Sequence, residues 1–383
     1  MRRKILCING AGQGDLHEFR AKELSGRLEH DVTFVNVDKK ASARKAARDL
    51  WRVIASSKWD LIYQESSGMI GGLCLIRAAL TRGQVFVVSS GDPISGYFRV
   101  TRGGAAGAAA SMYEKLLYRT SAGFIGWTPY LTGRAMHLGA PRAATVEGAV
   151  NLSFFAPSDI SERMETRERY GIPKNHLLCG IVGSLNWRPR HNYCYGLELV
   201  EMMKRVQRKD VSVLIVGDGS GKAVLEGMVP ASLRARVVFA GRKAQEDVPR
   251  MISAMDIGFV TQTLDALGSY RLTTKLPEYL ACGTPVAMSP VPGFYDYAKE
   301  AGWPLPPLHP ADPTFHAETA AWIDGLPPAE VADRAAMARS LAIRHFDYEK
   351  IGSKFSAFIE EILSTHSGSA ARVLRDPAPV AAS

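Results

Sequence analysis

The chain has 383 residues, 46% of them hydrophobic and 22% charged, with a formal net charge of +9. This describes a soluble globular chain long enough for two packed cores. No uninterrupted apolar run reaches transmembrane length, and the basic excess suits anionic partners. Nucleic acid is the weakest of these partners, because no RNA- or DNA-binding motif is present.

In chain order, the first predicted strand is KILCING. MRRKILCI begins like a secretion leader, but Asn9, Gly10, Gln13 and Asp15 cut its apolar region short, so none is predicted. Gly10, Gly12 and Gly14 follow this strand, and Asp38 ends the second, VTFVNV. A dinucleotide fingerprint spaces its glycines G-x-G-x-x-G; here the third falls one residue early and Asp15 takes its place, which leaves a tight turn equally open. DLIYQ, QVFVVSS, AGFIGW and AATVEG read as further strands, with helices over 17–28, 41–56, 69–81 and 103–119. Such alternation predicts a parallel sheet covered on both faces. VVSSGDPISGYFR sets Ser90, Gly91 and Asp92 at a strand's carboxyl end, where ligands of doubly wound sheets gather, although Asp before Pro is also a good turn former. In 99–119, Arg99, Arg102, Lys115 and Arg119 flank an alanine-rich middle, which predicts a packed helix with at most weak, salt-sensitive contact with anionic membrane.

A polar link over 152–175 precedes a second round of strands, LLCGIVGS, VSVLIVG, RVVFAG, DIGFV and TPVAM. After residue 312 the chain reads as helices ending in FDYEKIGSKFSAFIEEIL. The predicted domains are 1–155, completed by a helix over about 346–365, and 156–345, with a disordered tail over 366–383. Cys7, Cys74, Cys179, Cys194 and Cys282 form no CxxC pair and mostly sit in apolar stretches, so free thiols in a reducing cytoplasm are expected.

Residues 271–286, RLTTKLPEYLACGTPV, carry the densest chemistry. Thr273 and Thr274 suit a helix N-cap, Pro277 is tolerated in a first turn, and Gly283 with Pro285 ends the helix. Free amides and the helix dipole favour an anion there, and Lys275 adds a full charge. Glu278, three residues on, shares that surface, so one side chain can take a phosphate and the other a sugar hydroxyl. A capped helix with a solvated lysine is the plain alternative.

KLPEYLACGTPVA resembles the nucleotide-sugar-binding segment of retaining glycosyltransferases with the GT-B fold, in the large group 1 family that includes sucrose synthases and bacterial mannosyltransferases. VEGAVNLSFFAP, GIVGSLNWRPR, VLIVGDGSG and FAGRKAQEDVPRMISAMDIGFV agree in order and spacing, while YEKLLYRTSAGFIGWTPYLTGRA resembles the end of the acceptor-side domain. Residues 1–100 match only in general pattern.

The resemblance implies an α/β chain of two doubly wound Rossmann-like domains facing a cleft, with the last helix crossing back onto the first. It implies transfer from a UDP- or GDP-sugar to a glycan, lipid or small-molecule acceptor, with retention by same-face attack. Lys275 and Arg188 would neutralise the diphosphate, from a loop that also offers Ser184, Asn186 and Arg190. Arg242 and Lys243 would border the base, Thr273, Thr274 and Glu278 would complete the donor site, and Gly12 would let substrate approach the backbone.

Two departures stand out. Tyr270 occupies the place of a family glutamate, so Ser269, Tyr270 and Arg271 are expected to do related work, and Asp92 stands in for a family histidine. No cofactor is expected, and no His, Cys or Asp cluster has metal-ligand spacing. An epimerase, a silent nucleotide-sugar-binding protein and an NAD-dependent oxidoreductase are the competing readings.

Overall fold

Short runs of Ile, Leu, Val and Phe build the strands. The computed structural model describes residues 2–14, 16–188 and 192–373. In the first domain they are β1 (Lys4–Asn9), β2 (Asp31–Asn36), β3 (Leu61–Glu65), β4 (Phe86–Ser90), β5 (Gly123–Gly126) and β6 (Ala143–Thr145). They form one six-stranded sheet in the order β2-β1-β3-β4-β5-β6, with every pairing parallel. Ile5 to Ile8, Leu61 to Tyr63 and Phe86 to Val88 are buried throughout. Near-continuous apolar strands are what helices on both faces of a parallel sheet require.

The second domain repeats the plan with β7 (Leu177–Val182), β8 (Val211–Val216), β9 (Val237–Gly241), β10 (Ile257–Val260), β11 (Val286–Met288) and β12 (Gly302–Pro304). Its sheet is also six-stranded and parallel, in the order β12-β11-β10-β7-β8-β9. Both sheets are doubly wound, and the strand order reverses beside β1 and β3 in one and between β7 and β10 in the other. Ligands of such sheets bind outside the carboxyl ends at the reversal.

The first domain takes residues up to Glu147 and those from Tyr348 on; the second is Gly148–Asp347. The boundary expected after 155 therefore falls earlier. Val150 donates its amide to Phe346 O at 2.9 Å, and Val150 and Phe155 lie in the core around the helix Lys275–Ala281, which ties 148–155 to the second domain. The closing helix Tyr348–Val373 returns to the first domain, where Ile351, Phe355, Phe358, Ile359 and Ile362 are buried at helical spacing. Phe355 meets the Tyr63 ring edge-on at 4.9 Å, and burying such a side chain stabilises by about 1.5–3 kcal/mol. Helix thus replaces the tail expected over 366–373; the rest of that expectation, 374–383, lies outside the described residues.

The basic stretch at 99–119 is two helices, Ile94–Arg102 and Gly104–Thr120, because Gly103 breaks it with φ 99°. Among the described residues no helix is long and apolar enough to cross a membrane.

Candidate functional site

In the second domain, the loop after β7, the turn after β10 and the start of the helix Lys275–Ala281 bring polar groups together at the carboxyl edge. That helix is fixed by Leu276, Tyr279 and Leu280, all buried. The Val182 amide, on β7, donates to the Tyr279 hydroxyl at 2.7 Å. The ring can lie on β10 because Gly258 has no side chain: a Cβ there would fall 2.4 Å from Tyr279 Cδ2. This clamp sets where Lys275 emerges.

Lys275 Nζ lies 3.7 Å from the centroid of the Tyr195 ring, a cation–π contact. Gly183, just past β7, gives the lysine room, since a Cβ would come within 3.0 Å of Lys275 Cε. The Lys275 charge draws the Tyr195 hydroxyl below its ordinary pKa, burial opposes this, and the Arg271 charge adds to the lowering. Two cations and a phenol therefore share one small region. Glu278 is half-buried, and burial pushes its carboxyl up to about 7 against the pull of Lys275.

Behind them lies a buried network. Glu198 Oε1 accepts from Thr261 Oγ1 at 2.6 Å and from the Tyr193 hydroxyl at 3.1 Å, and Oε2 accepts from the Gly196 amide at 3.0 Å. Burial raises the Glu198 pKa, and no cation is among the causes of its shift. Next to Thr261, Gln262 is buried with both side-chain amide atoms lacking a hydrogen-bond partner, while its backbone N and O pair with the Ser289 hydroxyl at 2.8 and 2.9 Å. Sequence reasoning missed Tyr193, Tyr195, Glu198, Thr261 and Gln262, which are strung over distant segments.

Ser184, Asn186 and Arg188 are exposed on the loop after β7. The Arg188 amide donates to Tyr193 O at 3.0 Å, and Arg190 lies outside the described residues. Ser269 and Tyr270 sit in turns, their amides bonded to Asp265 O and Leu267 O. Arg242 is exposed beyond β9, whereas Lys243 lies 5.2 Å from the Tyr170 ring, beside the helix Ile160–Arg169, and lines a separate small cavity with Glu162 and Asp247. Thr274 holds the N-cap position in a helical conformation and its hydroxyl makes no capping bond. The amides of Leu276 and Glu278 already bond back to Thr273 O and Thr274 O at 3.2 Å. Of the amides that such a helix start would offer an anion, that of Leu276 is taken and Pro277 has none, so side chains carry most of the charge in this seven-residue helix.

Gly12 and Asp92 belong to the first domain. Gly12 O accepts from Asn9 Nδ2 at 2.6 Å, and Asp92 forms a turn in which Ser90 Oγ donates to Asp92 O at 2.7 Å. Also in that domain, Glu65 closes β3 with Arg20, His17 and Tyr63 around its carboxylate. Among the described residues no group of three His, Cys, Asp or Glu could hold a metal ion.

Residues 176–318, which include β7 to β12, match the family model described as glycosyl transferases group 1. The second domain is thus similar to group 1 glycosyl transferases. A curated relative, the 2-deoxystreptamine glucosyltransferase of Streptomyces kanamyceticus, is 29% identical over 147 residues, 37% of this chain and 34% of that protein. The match thus spans about a third of that relative's length. Two solved structures share the whole architecture at 16% identity. Anabaena Alr3699/HepE with UDP-glucose aligns with a TM-score of 0.70 over 94% of this chain and 100% of its own. Sucrose-phosphate synthase from Thermosynechococcus elongatus aligns with 0.72 over 95% and 100%. The fold is GT-B, and the second domain supplies the Lys275 site.

Proposed function

We propose that the protein transfers a sugar from a UDP- or GDP-sugar to an acceptor hydroxyl, and that the carboxyl edge of the second sheet holds the donor. The observation that carries this is Lys275, clamped by Tyr279 beside Gly183 at the strand-order reversal, with Arg271 near the same phenol. As the glycosidic bond breaks, negative charge grows on the departing diphosphate, and a fixed cation lowers that barrier without reorganising. Glu278, when ionised, accepts hydrogen bonds from donor hydroxyls. Gln262 offers a further amide donor and acceptor, and Arg188 reaches the diphosphate from the exposed loop.

The solved relatives support the donor class, since Anabaena Alr3699/HepE was crystallised with UDP, with UDP and glucose, and with UDP-glucose. The curated relative's name supports glucosyl transfer to a small aminocyclitol. In this reading the reaction retains configuration by same-face attack, needs no metal or cofactor, and runs in the cytoplasm. The acceptor is a glycan, lipid or small molecule.

The test incubates the protein with UDP-glucose, UDP-N-acetylglucosamine and GDP-mannose over an acceptor panel, with and without EDTA. Nucleoside diphosphate release is measured, and the product's anomeric proton is read by NMR. Release unaffected by EDTA, with an α-linked product, is expected. A β-linked product contradicts retention, and no release from any donor contradicts the transfer itself.

A further inference from the structure

We propose that a cavity at the amino edge of the second sheet is a binding site for a small carboxylate with an apolar body. It is separate from the Lys275 region and does not rest on the donor reading. Asp256 and Pro285, which line it, precede β10 and β11, whereas Gly183, beside Lys275, follows β7. In a parallel sheet the cavity and Lys275 therefore lie at opposite edges.

The cavity measures about 430 Å³, within the range of about 300–1,000 Å³ that small-molecule sites occupy. Its room comes from residues of little bulk. Gly283 follows the helix Lys275–Ala281 with φ 74°, and a Cβ there would stand 3.4 Å from Pro157 Cγ. The helix Pro328–His345 brings Val331, Ala332, Ala335 and Arg339 to the cavity at helical spacing. Pro157, Met255 and Val331 make part of the wall apolar.

The charges around it do not balance. Asp256 is the one carboxylate among the lining residues, and two arginines draw on it. Arg163 Nη2 pairs with Oδ1, while Oδ2 accepts from Arg167 Nη2 and from the Leu178 amide, both at 2.7 Å. Arg339 has backbone carbonyls as partners: Nη1 donates to Phe155 O and Ala281 O, and Nη2 to Leu152 O at 2.8 Å. Three cations thus meet one anion. Burial pushes the Cys282 thiol up to about 12, so it supplies no second negative charge.

Arg163 is the cation left open. Among the described residues Asp256 is the one group paired with its guanidinium, and its Nε–H is buried without a hydrogen bond, although the side chain is 32% exposed. Burial lowers its pKa in spite of Asp256. A purely structural role explains Arg167, which is buried and also donates to Ala254 O at 2.9 Å and His176 O at 3.1 Å. It does not explain a cavity-lining arginine with an unmatched donor. Guanidinium groups recognise carboxylate and phosphate oxygens. An apolar wall favours a carboxylate carrying hydrocarbon, because phosphate would leave oxygens against apolar groups.

The test adds hexanoate, benzoate, hexanol and inorganic phosphate separately to the full chain with isotope-labelled methionine methyls. The Met255 signal, assigned from its loss in Met255→Leu, is followed by NMR. Both carboxylates should shift it, and hexanol and phosphate should bind at least about tenfold more weakly than hexanoate. Arg163→Gln should weaken hexanoate about tenfold and stay folded, because Asp256 keeps Arg167 and the Leu178 amide. Ala335→Phe fills the cavity without removing a charge and should abolish the shift. UDP should leave hexanoate affinity unchanged. A Met255 signal unmoved by both carboxylates, hexanol or phosphate binding as tightly as hexanoate, or parent-like affinity in either variant overturns the proposal. Displacement of hexanoate by UDP would put the anion at Lys275 and overturn it too, whereas failure of UDP to bind contradicts the donor reading alone.

Discussion

Two glutamates sit at the reversals of the two sheets, Glu65 and Glu198, 0% and 1% exposed, and their partners leave their pKa values shifted in opposite directions. Burial raises the pKa of both. At Glu65 the Arg20 charge and the hydrogen bond from His17 outweigh it and hold the carboxyl below its ordinary value. Glu198 has only hydroxyls and an amide, so burial wins and its carboxyl is raised above its ordinary value. Burial alone therefore does not set the direction of the shift; the cation does. In the first domain the charge pair is sealed and can orient a histidine. In the second the glutamate is held by two hydroxyls and an amide, and Lys275 is not among its partners.

The same substitution at both glutamates is the sharpest way to break this comparison. Glu65→Gln leaves the Arg20 charge uncompensated in the core and should cost about 3–5 kcal/mol in denaturant unfolding. A cost near zero would show that Arg20 does not need the carboxylate. Next in size is Lys275→Ala, which should lower turnover on the order of 100-fold, more than it weakens donor affinity, with an unchanged melting temperature. Equal losses in affinity and turnover would make Lys275 a ground-state contact only.

A smaller effect concerns pH. The carboxyl of Glu278 titrates near about 7 when folded, above its ordinary 4.5, so between these values the folded chain keeps a proton that the unfolded chain has lost. Stability should fall as pH rises through that window. Donor affinity should move the other way, because the ionised carboxylate accepts hydroxyls better. Glu278→Gln should flatten both slopes, read as melting temperature and calorimetric affinity from about pH 5 to about pH 8. Parent-like slopes in the variant would assign the titration elsewhere. Smallest of all, Glu198→Gln should cost under about 1 kcal/mol, because no buried cation loses its partner and an amide oxygen can still accept from Thr261 and Tyr193. A cost matching that of Glu65→Gln would erase the contrast.

What was legible in the sequence was local. Buried runs such as VSVLIV and KILCIN announce parallel strands, and Lys275 with Glu278 can be read from spacing on one short helix. β12, with three residues, is too short to show a pattern. The break at Gly103 was hidden because the basic residues before it and the alanine-rich stretch after it read as one helix. The site's second layer is non-local: Thr261 reaches Glu198 from 63 residues away and Tyr193 from 68, and His17 reaches Glu65 across 48. Only the strand order makes these residues neighbours. Thr273 and Thr274 looked like caps by residue type, yet Thr274 at the N-cap is already in a helical conformation, so its hydroxyl does not cap the helix.

The central claim is that a nucleoside diphosphate binds at Lys275 and Glu278. Its most direct test is the melting-temperature shift produced by UDP and by GDP, with EDTA present, in the parent and in the double variant Lys275→Ala/Glu278→Gln. Ligand at about 100 times its dissociation constant should stabilise the parent by about 2.7 kcal/mol, while the variant, melting close to the parent when unliganded, should show little shift at the same concentration. An equal shift in both proteins, or none in the parent with either nucleotide, would contradict the account.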